Sequence, residues 1–230
     1  MQINRNNIAH LCGTVSVPGI SFHHENMYVK YYILYLDIKR LSDNTDHIPV
    51  VITQDMYDRF LDQLKIGTRL NIVAEIRSFN RYDETGKMHM EVYANACKID
   101  VVDDSVQDRN DVNIKCKICK EPNVRKTPNG KRITDLMLMC NRTDRKNDFI
   151  PAITWGSISD LSANITTNDK ISVCGRFQSR NFIRKTEDDK VVEGISYEVS
   201  INTLEIIDKK ETEIKNTGNT EENVLKKEGI

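Results

Sequence analysis

Leu70-x-Ile72-x-x-Glu75-Ile76-x-Ser78-x-Asn80 returns in the second half of the chain as Ile171-x-Val173-x-x-Arg176-Phe177-x-Ser179-x-Asn181. Apolar and polar residues alternate through the start of both stretches, so each reads as a strand with one face in a core. Working outward, the recurrence holds along the whole chain. Ala9-x-Leu11-x-Gly13-x-Val15 matches Val112-x-Ile114-x-Cys116-x-Ile118, and Leu34-x-Leu36-x-Ile38-x-Arg40 matches Leu136-x-Leu138-x-Cys140-x-Arg142. Ile48-Pro49-Val50-Val51 matches Ile150-Pro151-Ala152-Ile153, and Glu91-Val92 matches Glu198-Val199. The order is kept throughout. Solenoid repeats are far shorter than this period, so the chain is read as a duplicated domain.

Each copy runs strand, strand, strand, short helix, strand, strand. Thr85-Gly86 and Pro128-Asn129-Gly130 are hairpin-turn signals. A helix is expected from Asp55 to Leu64, where Met56, Phe60 and Leu64 fall four apart and Gly67 follows as a stop. In the second copy Ser157-x-x-Asp160 resembles a capping box, with Ile158, Leu161 and Ile165 expected on one face. A helix between the third and fourth of five strands is the order of an OB-type barrel. The expected fold is therefore all-β, two tandem five-stranded barrels. Their expected bounds are residues 1–102 and 110–207, with an acidic linker at 103–109 and a disordered Lys/Glu/Asn-rich tail at 208–230.

The whole chain has a net charge of −1, so it carries no global basic signature, but the halves differ. Residues 1–109 sum to −3 and residues 110–207 to +3, which points to the second copy as the one that meets polyanions. No apolar window reaches the eighteen or so residues of a membrane span, and the start from Met1 lacks a signal-peptide core. A soluble cytoplasmic protein, of the bacterial nucleoid or phage-encoded, is expected. Cys116-Lys117-Ile118-Cys119 has metal-type spacing without a second ligand pair, so its thiols are read as strand and core residues. All five histidines lie in the first copy, and His23-His24 has no acid or thiol at ligand spacing. Neither a nucleophile triad nor a Gly-rich phosphate loop is present, so neither enzyme activity nor a metal or other cofactor is expected.

Single-stranded nucleic acid is held by a basic groove along its backbone and by aromatic faces under its bases. The second copy has both. Arg125, Lys126, Lys131 and Arg132 flank its first hairpin, Arg142 ends its second strand, and Arg176, Arg180 and Arg184 lie along its fourth. Phe149, Trp155, Phe177 and Phe182 are interleaved with them. Phe177 is in phase with Ile171 and Val173 and reads as core. Phe182 lies beyond the alternation, between two arginines, and reads as a binding residue.

Three motifs of the second copy resemble bacterial single-stranded DNA-binding proteins. They are Glu121-Pro122-x-Val124-Arg125-x-x-Pro128-Asn129-Gly130, Asp148-Phe149 followed by Trp155-Gly156, and Gly175-Arg176-Phe177-x-Ser179-Arg180-x-Phe182. The resemblance implies base stacking on Phe149, Trp155 and Phe182. A further stacking position of that family, near Arg142 and Thr143, holds no aromatic here. It also implies a homodimer, four barrels in all, acting on single-stranded DNA in replication, recombination or repair, with replication or repair proteins as possible partners. The first copy departs from the pattern, with His47, Thr53 and Arg81 where the second has Phe149, Trp155 and Phe182. It keeps Arg77, Phe79, Arg81 and Tyr82 as candidates for weaker binding. The family's acidic, aromatic-tipped end is replaced by Val-Leu-Lys-Lys-Glu-Gly-Ile, which weakens the case for partner recruitment through the tail. The competing reading is a primosome-type accessory OB protein that acts through protein contacts. RNA stays open as a ligand, since stacking grooves do not by themselves read the 2′-OH.

Overall fold

The computed structural model describes residues 6–26, 28–127, 129–142, 146–185 and 191–209, with 184 and 185 described by backbone alone. The expected disordered tail lies, from residue 210 on, outside the described residues. The first barrel comprises β1 (Asn7–Val15), β2 (Ser21–Glu25), β3 (Lys30–Lys39), β4 (Thr45–Thr53), α1 (Gln54–Phe60), β5 (Arg69–Tyr82) and β6 (Met88–Val102). The second repeats the order as β7 (Arg109–Ile118), β8 (Asn123–Lys126), β9 (Arg132–Asn141), β10 (Asn147–Trp155), α2 (Gly156–Ser162), β11 (Lys170–Lys185) and β12 (Val191–Asp208). The chain is mostly β, as the alternation requires. Each barrel carries one strand more than expected, because a short hairpin strand, β2 or β8, precedes its second long strand.

Both barrels close in the same way. β1 pairs with β3 and β5, and β7 with β9 and β11, all antiparallel, while β4–β6 and β10–β12 are parallel contacts. Period-two burial is clean along β9, where Leu136, Leu138 and Cys140 are buried between half-buried neighbours. Phe177 is fully buried, as its phase predicts.

The helices differ from the sequence expectation. α1 ends at Phe60, short of Leu64, and Thr53 Oγ1 accepts a hydrogen bond from Met56 N at 3.4 Å to cap it. α2 starts directly after Trp155, so the expected Ser157–Asp160 capping box does not form. Two of its serines turn inward: Ser159 Oγ lies 2.7 Å from Thr134 Oγ1, and Ser162 Oγ lies 2.7 Å from Thr154 Oγ1. Asp160 turns outward to Arg132 at 2.7 Å. With the polar side chains buried, Leu161 is displaced to the surface, while Ile165 stays in the core. Cys119 falls just past the end of β7 rather than within a strand.

The barrels are joined by more than the linker. β1 and β7 pair antiparallel around Ala9–Val112, which merges the two halves into one twelve-stranded sheet. Ala9 and Val112 are matching positions of the repeat, so the seam has approximate twofold symmetry. A second set of contacts obeys the same symmetry. Buried Asp148 takes two bonds from Arg142 and accepts Ser78 N–H of the other barrel at 2.7 Å, while Arg142 donates to Ser78 O at 2.8 Å. Phe149 N–H donates to Ser78 Oγ at 2.9 Å. Reciprocally, buried Asp46 is held by Arg40 and accepts Ser179 N–H at 3.1 Å, and His47 N–H donates to Ser179 Oγ at 3.0 Å. Arg142 is therefore a clasp between barrels, with its guanidinium committed to Asp148 and Ser78. Removing one member of a buried, hydrogen-bonded ion pair leaves the other charge uncompensated. Asp148→Ala should lower unfolding stability by about 3–5 kcal/mol, read from the urea midpoint. A loss below about 1 kcal/mol, the range of a surface pair, would show that the clasp does not hold the barrels.

Candidate nucleic-acid interface

Trp155 is the last residue of β10, and Gly156 follows it at φ +57°, a conformation that costs a residue with a side chain. The sharp turn from strand to helix leaves the indole on the outer face, 41% exposed. Arg176 and Arg180 of β11, with buried Gln178 between them, lie beside it in a groove of about 380 Å³. The opposite wall comes from the first barrel, through Arg40, Asn44, Thr45 and His47. Among the described residues, no carboxylate lines this groove.

Arg176 is half-buried. Its Nη2 donates to Gln178 Oε1 at 2.9 Å, and its Nε has no hydrogen-bond partner. Burial, then the nearby Arg40 charge, pull the Arg176 pKa below its usual value. A cation held in this way is stabilised by an incoming anion. Arg180 is half-exposed and 3.5 Å from Glu198, a loose contact that leaves it able to turn toward a phosphate.

The other candidates are distributed along the molecule. Lys126 and Lys131 are exposed on the β8–β9 hairpin, while Arg125 is tied to Asp135 and Arg132 to Asp160. The side chain of Arg184 lies outside the described residues. Phe149 is 37% exposed on the same face of β10 as Trp155, but six residues away, roughly 20 Å along a strand. Its backbone bond to Ser78 sets it at the interbarrel seam, so the three aromatics do not form one platform. Phe182 continues the outward face of β11, and its ring covers Gly194 of β12, where an added Cβ would lie 2.8 Å from it. It borders a separate cavity of about 710 Å³ floored by Pro49, Pro151 and Tyr197.

The corresponding face of the first barrel is already occupied. Arg77 is committed to buried Glu75, and Arg81 holds Glu91 at 2.6 Å. His24 of β2 lies over Phe79, with ring centroids 4.6 Å apart, and its other side stacks on Tyr31 at 4.4 Å. Tyr82 is 66% exposed. His23 does have an acidic neighbour, contrary to the sequence expectation, because β6 brings Glu91 within 3.0 Å. No cluster of three metal ligands exists among the described residues. Spacing could not have shown this cover, which depends on which strand lies over Phe79. The groove wall of Arg40 and His47 escaped sequence reasoning for the same reason.

Residues 109–207 match the family model described as Single-strand binding protein family. Among curated proteins, the Single-stranded DNA-binding protein A of Bacillus subtilis is 34% identical over 73 residues, which are 29% of this chain and 42% of that protein. The Single-stranded DNA-binding protein of Clostridium tetani is 34% identical over 76 residues, 30% of this chain and 52% of that protein. The match thus spans about half the length of these relatives. In fold the likeness covers both barrels: the wild-type single-stranded DNA binding protein from Thermus aquaticus superposes with TM-score 0.67 at 18% identity, covering 87% of this chain and 92% of that one. No helix among the described residues is long and apolar enough to cross a membrane.

The His24 cover carries a pH signature. Burial, then the charges of His23 and Arg81, lower its pKa from 6.5 to about 4. The unfolded chain therefore takes up this proton first as pH falls, and stability contributed by neutral His24 is lost from 6.5 downward, fully so below about 4. Burial alone would raise Glu91, but hydrogen bonds from His23 and Arg81 outweigh it and hold it at about 2, so its contribution is lost only below 4.5. His24→Phe, which keeps the stack, should remove the loss of stability between pH 6.5 and 5. Urea unfolding at the two pH values checks this, and an unchanged difference in the variant would assign the loss elsewhere.

Proposed function

We propose that the chain binds single-stranded DNA with little sequence preference, through the groove of the second barrel. The observation that carries this reading is Trp155, exposed in a groove without carboxylates beside a half-buried arginine and a half-exposed one. An indole face stacks on any base, and guanidinium groups track the phosphates, so affinity needs no base-edge contacts. The curated relatives, named as single-stranded DNA-binding proteins, support the same ligand. The first barrel, net acidic and covered by His24, acts mainly as scaffold and wall. Its side of the groove, Arg40 and His47, ties binding to the intact pair of barrels rather than to residues 110–207 alone.

The cellular setting that fits this activity is protection of single strands during replication, recombination or repair. A homodimer of four barrels fits the exposed apolar residues of the two long hairpins, Tyr82, Met88, Ile183, Val191 and Ile195, which would otherwise face water.

Trp155 is the sole tryptophan, so titration with oligo-dT reads the groove directly. Binding should quench its fluorescence, and log K should fall with log salt by about 0.7 per phosphate neutralised. Trp155→Ala should weaken binding by about 1–3 kcal/mol with little change in Tm. Phe182→Ala should cost less affinity and more Tm, because that ring packs on Gly194. Saturation without quenching, or affinity indifferent to salt, would overturn the proposal.

A further inference from the structure

Two thiols in the core of the second barrel lie outside the binding site. Cys116 of β7 and Cys140 of β9 are both buried. The strands pair at Lys117–Met139 and Ile118–Leu138, and the next step of that register sets Cys116 opposite Cys140. Directly opposed residues of an antiparallel pair have Cα atoms about 4.5–5.5 Å apart, within the span of about 4.4–6.8 Å that a disulfide bridges. The Cys140 thiol is held strongly toward its protonated form, first by a hydrogen bond with the Cys116 thiol and then by burial. The two side chains therefore meet.

The first barrel shows how tight this place is. Its matching residues are Gly13 and Ile38, and a Cβ added to Gly13 would lie 2.8 Å from Ile38 Cγ1. One barrel fills the crossing with a large side chain against none, the other with two thiols. Cys116 also borders a surface cavity of about 210 Å³. Lys115, Lys117 and Lys170 line it, the last paired with Asp208, and among the described residues no carboxylate does. The cavity gives a small oxidant a path to the Cys116 sulfur. Cys119, the other half of the CxxC spacing, lies beyond the strand end, so the pairing runs across strands and not along the motif.

We propose that Cys116 and Cys140 are a peroxide-responsive pair that closes to a cross-strand disulfide. Cys116 thiolate attacks one peroxide oxygen, the O–O bond breaks, and the leaving oxygen departs as water or alcohol after taking a proton. The resulting sulfenic acid is attacked by Cys140 sulfur. The S–S bond forms as the S–O bond breaks, and the thiol proton leaves with hydroxide as water. Two thiols lose two electrons, and one peroxide gains them.

The full chain, treated with hydrogen peroxide and then alkylated, tests this by intact mass and tryptic mapping. The expected product has lost the mass of two hydrogens, joins fragment 116–117 to fragment 133–142, has a higher Tm, and reverts with dithiothreitol. Cys140→Ala should instead trap the sulfenic acid on Cys116, detected with dimedone. The wild-type map decides the matter even if that variant fails to fold. Oxygen adducts alone, or a bridge through Cys119 or the exposed Cys174, would overturn the proposal.

Discussion

Two buried carboxylates, Asp46 and Asp148, determine how the barrels meet. Each is neutralised by an arginine of its own barrel and spends a remaining lone pair on a backbone N–H of the other. A buried charge tolerates little displacement, because its hydrogen bonds lose strength steeply with angle and distance while its desolvation cost stays. The clasp therefore sets the relative position of β4 and β11, and of β10 and β5. From that position follow the groove between Trp155 and His47 and the place of Phe149 at the seam. The β1–β7 ladder adds a second constraint along the same axis, so the halves cannot rotate without breaking both.

Much of this was legible in the sequence because strand burial is a period-two property. The repeat, the barrel order, the buried phase of Phe177 and the exposure of Trp155 all follow from local alternation and from motif order. What was not legible has one physical origin. Asp148 and Arg142 look like surface charges in a basic segment until Ser78, distant in sequence, is placed against them. The cover of Phe79 by His24, and the distance between Phe149 and Trp155, likewise depend on which strands become neighbours. The α2 start was misread for a different reason: Ser157 and Asp160 satisfy a capping pattern, but the helix already begins at Gly156, which puts Ser157 inside its first turn, and Asp160 pairs with Arg132 instead.

The duplication also shows how one fold supports two chemistries. Corresponding positions keep the groups that hold the scaffold, as with Arg40 and Arg142 or Ser78 and Ser179. The outward positions have diverged, as with Thr53 against Trp155 and Phe79 against Arg180. In the first barrel the outward cations are neutralised by Glu75 and Glu91, while in the second Arg176 donates to the neutral amide of Gln178. Electrostatics thus separates the faces more sharply than net charge does.

The broken symmetry bears on direction. Two identical barrels about a true twofold axis present the same sequence of contacts to a chain laid across them from either end. Here one end of such a path meets indole and arginine, and the other meets a histidine cover and neutralised charges. A polynucleotide is itself directional, with distinct 5′ and 3′ ends. The two orientations of a strand across this molecule are therefore different complexes of different energy, and a chain of tethered, unequal barrels can impose a polarity that a symmetric pair has no means to express.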